Sequence, residues 1–166
     1  MRILLFLVLF LFGGSISSQN CSLKSLKKKR ASKRVVNLIK NKSFNQAKNI
    51  IRSYNEHPVF NALKAEILWL EGDNLNAKKI ANEVLYICDE NFPVVCYILA
   101  EISFQEKDFV KSYEFLKNSI QLGLEGQYLE NALVFLPRVK TLSDIINNPV
   151  QYNPQIISGI STEYDE

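Results

Sequence analysis

Reactive residue types are scarce in this chain, and their spacing offers little chemistry. The single histidine, His57, stands beside Pro58 between two apolar-periodic segments. A surface turn residue is the ordinary reading there, because no nucleophile lies nearby for a general base to serve. The acidic pairs Asp89-Glu90 and Asp165-Glu166 fall in turn-like and tail-like sequence and read as solvated charge. Six glycines are too scattered to cradle a phosphate, and neither a GxSxG elbow nor an HExxH helix occurs. Cys21, Cys88 and Cys96 form no CxxC pair and no His/Cys cluster, so a zinc site has no support. The expectation is therefore no catalytic residue, no cofactor and no metal, which describes a binding protein rather than an enzyme. Two readings of the cysteines stay open: a Cys88–Cys96 disulfide across an expected helix–helix turn, or two buried thiols packed as small hydrophobes.

The elements that would position a binding surface begin after an export signal. Arg2 precedes an unbroken apolar run from Ile3 to Phe12, followed by Gly13, Gly14 and serines. That layout is a signal peptide over 1–18, with cleavage expected after Ser17 or Ser18. The run is about half the ~20 residues a membrane span needs. A lipoprotein would use Cys21, but Ser18-Gln19-Asn20 departs from the aliphatic and small residues such a signal requires. No later segment is long and apolar enough to span a bilayer, so the mature part is expected to be a soluble periplasmic domain.

Charge is unevenly spread. Gln19 to Asn55 holds eleven Lys or Arg and no acid, whereas Glu56 onward holds eight basic and seventeen acidic residues. Seven of the cations lie between Lys24 and Arg34. They read first as a solvated helix face, and beyond that as a surface for anionic lipid, an acidic partner or the chain's own acidic half. Nucleic acid is not an expected partner of an exported protein.

Three segments align without gaps: Asn41-Lys42-Ser43-Phe44-Asn45-Gln46-Ala47, Glu71-Gly72-Asp73-Asn74-Leu75-Asn76-Ala77 and Glu106-Lys107-Asp108-Phe109-Val110-Lys111-Ser112. Ala47, Ala77 and Ser112 are 30 and 35 residues apart, and Ala65-Glu66-Ile67 recurs as Ala100-Glu101-Ile102. Phe60, Leu63, Ile67 and Leu70 share one helical stripe, as do Phe44, Ala47, Ile51 and Tyr54. Pro58 and Pro93 suit helix starts, where a missing amide hydrogen costs nothing. These signals predict helices at 23–40, 45–55, 58–71, 75–88, 93–106 and 109–121. A further pair is expected at 126–136 and 138–147, divided by Pro137.

The repeats resemble tetratricopeptide repeats, a family of ~34-residue helix–turn–helix units. Ala65 and Ala100 match its first-helix small position, Gly72-Asp73 its turn, Phe44 and Phe109 its turn aromatic, and Ala47, Ala77 and Ser112 its second-helix small position. Lys42 and Lys107 depart from the turn glycine, and Val35 from the first small residue. The resemblance implies an all-α protein, an α-solenoid with three helix pairs over 19–121, a capping helix pair over 122–148 and an extended tail over 149–166. By its register, the first helices line a concave face through Lys29, Ser32, Val36, Lys40, Ala62, Glu66, Trp69, Tyr97, Glu101 and Phe104. Trp69 and Phe104 are equally placed to pack between repeats. A bound peptide or partner helix suits such a face.

The tail carries a second resemblance. Asn148-Pro149-Val150-Gln151-Tyr152-Asn153-Pro154 and Ser161-Thr162-Glu163-Tyr164-Asp165-Glu166 look like the junction in Bacteroidetes-type envelope proteins. In those, an N-terminal tetratricopeptide region leads to a WD40-like β-propeller and often a peptidoglycan-binding OmpA-like domain. This implies an outer-membrane-associated scaffold, with the type IX secretion machinery as one setting. The alternative is a membrane-surface adaptor making peripheral contact with anionic lipid through the basic first helix.

Overall fold

The computed structural model describes residues 21–88 and 92–149. The expected signal peptide, the Asp89-Glu90 pair and most of the expected tail lie outside the described residues. Within them the protein is helical, with no strand. The helices are α1 (Leu26–Lys40), α2 (Phe44–Arg52), α3 (Pro58–Leu70), α4 (Asn74–Cys88), α5 (Pro93–Gln105), α6 (Phe109–Gln121) and α7 (Gly126–Asn147).

Local chemistry brackets these helices. Pro58 and Pro93 open α3 and α5 with their φ already set for a helix. At the other end, Lys42, Gly72, Lys107 and Gly123 all take positive φ, from 56° to 86°. The amide of the next residue then reaches back five positions, as in Ser43 to Leu38, Asp73 to Leu68 and Asp108 to Ser103. This satisfies carbonyls that the helix end would leave bare. Asp73 and Asp108 follow at once and accept from the amides of Asn76 and Lys111, each at 3.2 Å, so one turn stops a helix and starts the next.

Two of those left-handed sites carry lysine, whose Cβ makes the conformation costly where glycine's lack of one does not. Lys107→Gly is expected to stabilise the fold by roughly 0.5–1 kcal/mol, net of the extra freedom glycine gives the unfolded chain. A raised urea midpoint with an unchanged slope would show this. An unmoved midpoint would mean that the turn holds lysine without strain.

Every helix packs on the next one, and α1 also meets α3, α3 meets α5 and α5 meets α7. Among the described residues α2, α4 and α6 do not meet one another. The odd helices thus form an inner layer and the even ones an outer layer. Close approach depends on small residues: Ala47, Ala65, Ala77, Ala100 and Ser112 are all fully buried. The Ser112 hydroxyl donates to the Ala100 carbonyl at 2.8 Å, which shows how near α6 lies to the α5 backbone.

Side-chain links repeat along the array as well. Lys48 pairs with Glu71 at 2.6 Å, and Lys78 with Glu106 at 2.5 Å. The two lysines follow Ala47 and Ala77, and the two glutamates open the aligned turns. Each pair therefore joins an outer helix to the end of the following inner one. Both pairs are partly exposed, so each contributes only about 0–1 kcal/mol.

Two expectations are corrected. The capping pair is one continuous 22-residue helix, α7, with Pro137 inside it. Proline there removes a hydrogen bond at a cost of about 3 kcal/mol, but Ala132, Val139 and Ser143 lie on one stripe that is buried on both sides of it. Burial of both halves against α5 and α6 offsets the loss, and exposed Leu133, whose carbonyl loses its partner, can turn that oxygen to water. The disulfide is also not Cys88–Cys96. Cys88 closes α4 and bonds to Cys21, with a Cα–Cα distance of 5.7 Å, while Cys96 is buried within α5 outside that bridge. The same bond occupies the sulfur to which lipidation would attach a diacylglyceryl group as a thioether, so bridging and that modification of Cys21 exclude each other.

Candidate functional site

The inner layer forms the walls of a groove of about 880 Å³ between α1, α3, the start of α5 and the start of α7. On α3, Val59, Ala62, Leu63, Glu66 and Leu70 share the face that lines it, at the three- and four-residue steps that stack side chains on a helix. Val36, Ile39 and Lys40 of α1 form one wall, with Lys42 and Phe44 beyond them. Phe92 to Val95 and Gly126 to Tyr128 form the other.

Two carboxylates line this mostly apolar surface: Glu125, which is exposed, and Glu66, which is half-buried. Glu66 accepts a hydrogen bond from the Tyr128 hydroxyl at 2.8 Å. Burial raises the pKa of its carboxyl above the ordinary value, opposed in part by the Tyr128 hydrogen bond and by the Lys40 charge. Burial is also the main reason the Tyr128 hydroxyl holds its proton more tightly than a free tyrosine. A desolvated carboxylate beside an apolar wall is poised to receive a cationic or hydrogen-bond-donating group.

Four of the ten expected concave-face residues line the groove: Val36, Lys40, Ala62 and Glu66. Lys29 is exposed on α1 away from it, and the half-buried Ser32 donates to the Lys29 carbonyl at 3.0 Å. The remaining four do not face an open surface, because α7 lies over them. Trp69 meets Tyr97 edge-on at 5.8 Å and Tyr128 at 6.1 Å. Tyr97 is buried and its hydroxyl donates to Glu101 at 2.6 Å. Phe104 contacts Phe135 at 4.8 Å, and the Arg138 guanidinium lies 5.0 Å from its ring centre. The packing alternative thus describes Trp69 and Phe104.

Val59 escaped the sequence reading, and Leu63 and Leu70 were read there only as an apolar stripe with Phe60 and Ile67, although α3's register could have placed all three beside Ala62 and Glu66. Tyr128 had no such signal, since its position depends on how α7 crosses the inner layer.

His57 is a structural cap. Its Nδ1 accepts the Val59 amide at 3.3 Å at the start of α3. Burial, and then the charge of Lys28, lowers its pKa below the usual histidine value of 6.5. A lowered folded-state pKa means that the unfolded chain binds the proton more readily. The contribution is complete above about pH 6.5 and is lost as pH falls through that value toward the lower folded pKa. Glu66 acts in the opposite sense, since its raised pKa relieves a cost as pH falls. His57→Asn keeps an acceptor that does not titrate, so the decline in urea midpoint between about pH 7 and about pH 5.5 is expected to flatten. The same slope in both proteins would remove His57 from the account.

Among the described residues, no group of His, Cys, Asp and Glu is placed to hold a metal ion, and no helix is long and apolar enough to cross a membrane. The molecule is thus a layered helical protein with one apolar groove on its inner side. Compared with known proteins, the chain matches no family model, no curated protein and no solved structure.

Proposed function

We propose that this protein is a tetratricopeptide-type scaffold of the bacterial envelope, without enzymatic activity, which holds an apolar peptide or helical segment of a partner protein in the groove between α1 and α3. The observation that carries this reading is the groove itself, apolar along α3 and holding the largely desolvated Glu66. Repetition supports the repeat assignment: the left-handed turns at Lys42, Gly72 and Lys107, the small contacts at Ala47, Ala77 and Ser112, and the two equivalent ion pairs recur in register. The leader sequence and the Cys21–Cys88 bridge both favour an oxidising, exported setting. Association with the outer membrane, alongside OmpA-type or type IX secretion components, follows from the tail resemblance alone.

A photo-crosslinking residue at Leu70, on the groove wall, tests this against one at Leu75, which is exposed on α4 outside the groove. Adducts with one envelope protein are expected from position 70 and not from position 75. Filling the groove with Ala62→Trp is expected to reduce the adduct about tenfold or more, as for loss of a central anchor pocket. Equal labelling from both positions would refute the reading.

A further inference from the structure

The cations of α1 have no ion-pair partners among the described residues. Lys27, Lys29, Arg30, Lys33, Arg34 and Lys40 are exposed, and the ion pairs within the described residues are made by Lys48, Lys78 and Lys111 instead. Among the described residues, no carboxylate therefore lies within ion-pair distance of these six cations. Three of these cations, Lys27, Arg30 and Arg34, recur at i, i+3 and i+7 and form one stripe beside α2. With Asn49, Ser53 and Tyr54 they border a hollow of about 470 Å³ floored by Ala31 and Ile50. Arg52 donates to the Asn49 side-chain oxygen Oδ1 at 3.2 Å, which leaves the side-chain nitrogen Nδ2 as a donor. No carboxylate borders the hollow, so its rim offers three positive charges, two hydroxyls and an amide.

We propose that this stripe docks on an anionic phospholipid surface and seats a phosphate headgroup in the hollow between α1 and α2. Charge complementarity is the main argument, since phosphate oxygens accept from arginine forks, lysine and hydroxyls alike. An exposed apolar side chain at the end of the stripe favours a membrane over an acidic protein. The cations lie along the exposed side of α1, a helix about 22 Å long at 1.5 Å per residue, and Leu26 stands 62% exposed at its leading end beside Lys27 and Arg30. An apolar side chain at the edge of a cationic stripe suits the boundary between headgroups and acyl chains. This surface is separate from the groove under α3, so both can be occupied together.

Sedimentation of the purified, naturally processed protein with vesicles tests the proposal. Vesicles of phosphatidylcholine alone are compared with vesicles that also contain phosphatidylglycerol, at low and high salt. Each adjacent Lys or Arg strengthens binding to an anionic surface about fivefold, so Lys27→Gln, Arg30→Gln and Arg34→Gln together are expected to weaken it about 100-fold. Salt should weaken it also. The control Lys79→Gln, Lys117→Gln and Lys140→Gln removes the same charge from exposed sites elsewhere and is expected to retain most of the binding. Ile3 to Phe12, if retained, is common to every variant and drops out of the comparison. Equal loss in both triple variants, or no preference for phosphatidylglycerol, would overturn the proposal. So would capture by polyglutamate without vesicle binding, which would point to an acidic protein.

Discussion

Replacing Cys88 by serine is expected to lower the unfolding free energy by about 4 kcal/mol, and reduction of the native protein should do the same. The bridge spans 67 residues of sequence, and closing so large a loop removes much of the unfolded chain's freedom. For a domain of this size the loss corresponds to a fall in melting temperature on the order of 10 °C. Urea unfolding with and without reductant measures it directly. Cys21→Ser should match Cys88→Ser, and in both variants reductant should have no further effect. Cys96→Ala should preserve the response to reductant, since Cys96 lies outside the bridge. If the oxidised and reduced proteins unfold within about 1 kcal/mol of each other, the bridge contributes little to the fold. An intact mass two hydrogens below the fully reduced value would establish the bond and exclude a lipid on Cys21 in the same sample.

A second large effect is expected where α5 and α6 approach most closely. Ala100 is fully buried, and its carbonyl accepts from the Ser112 hydroxyl across the interface. The substitution Ala100→Leu would force the helices apart or into strained rotamers, at a cost of about 3 kcal/mol, the upper end of ordinary overpacking. Loss of the Ser112 hydrogen bond within a buried interface would add to it. The variant Ala100→Leu with Ser112→Gly restores some space, so it should recover part of the loss. An Ala100→Leu protein that unfolds at the native midpoint would contradict the close packing on which the repeat reading depends.

The helices were largely legible because their ends carry local chemistry. Expectation and structure agree at both ends of α6 and to within a residue for α3 and α5, where prolines set the starts and left-handed residues the stops. At α1 the structure begins later than expected: Leu23 packs on the core without being helical, so its apolar character signalled burial and not conformation. Pro137 misled for a related reason. The local rule that proline ends a helix was outweighed by a stripe buried on both sides of it.

The disulfide and half of the concave face were hidden from sequence by distance along the chain. Nothing in the spacing of Cys21 and Cys88 shows that the N-terminal segment runs back to the end of α4. Tyr97, Glu101, Phe104 and Trp69 were correctly placed on inner helices, but their exposure depended on whether α7 crosses them, and one uninterrupted helix does. Register reports which side of a helix a residue occupies. What covers that side is a tertiary fact.

Separation of the even helices has a mechanical consequence. Since α2, α4 and α6 do not meet one another, each outer helix is held only through the inner helices beside it, by α2 on α3, α4 on α5 and α6 on α7. A load on one outer helix therefore passes to the next through α3 or α5, the helices that border the groove.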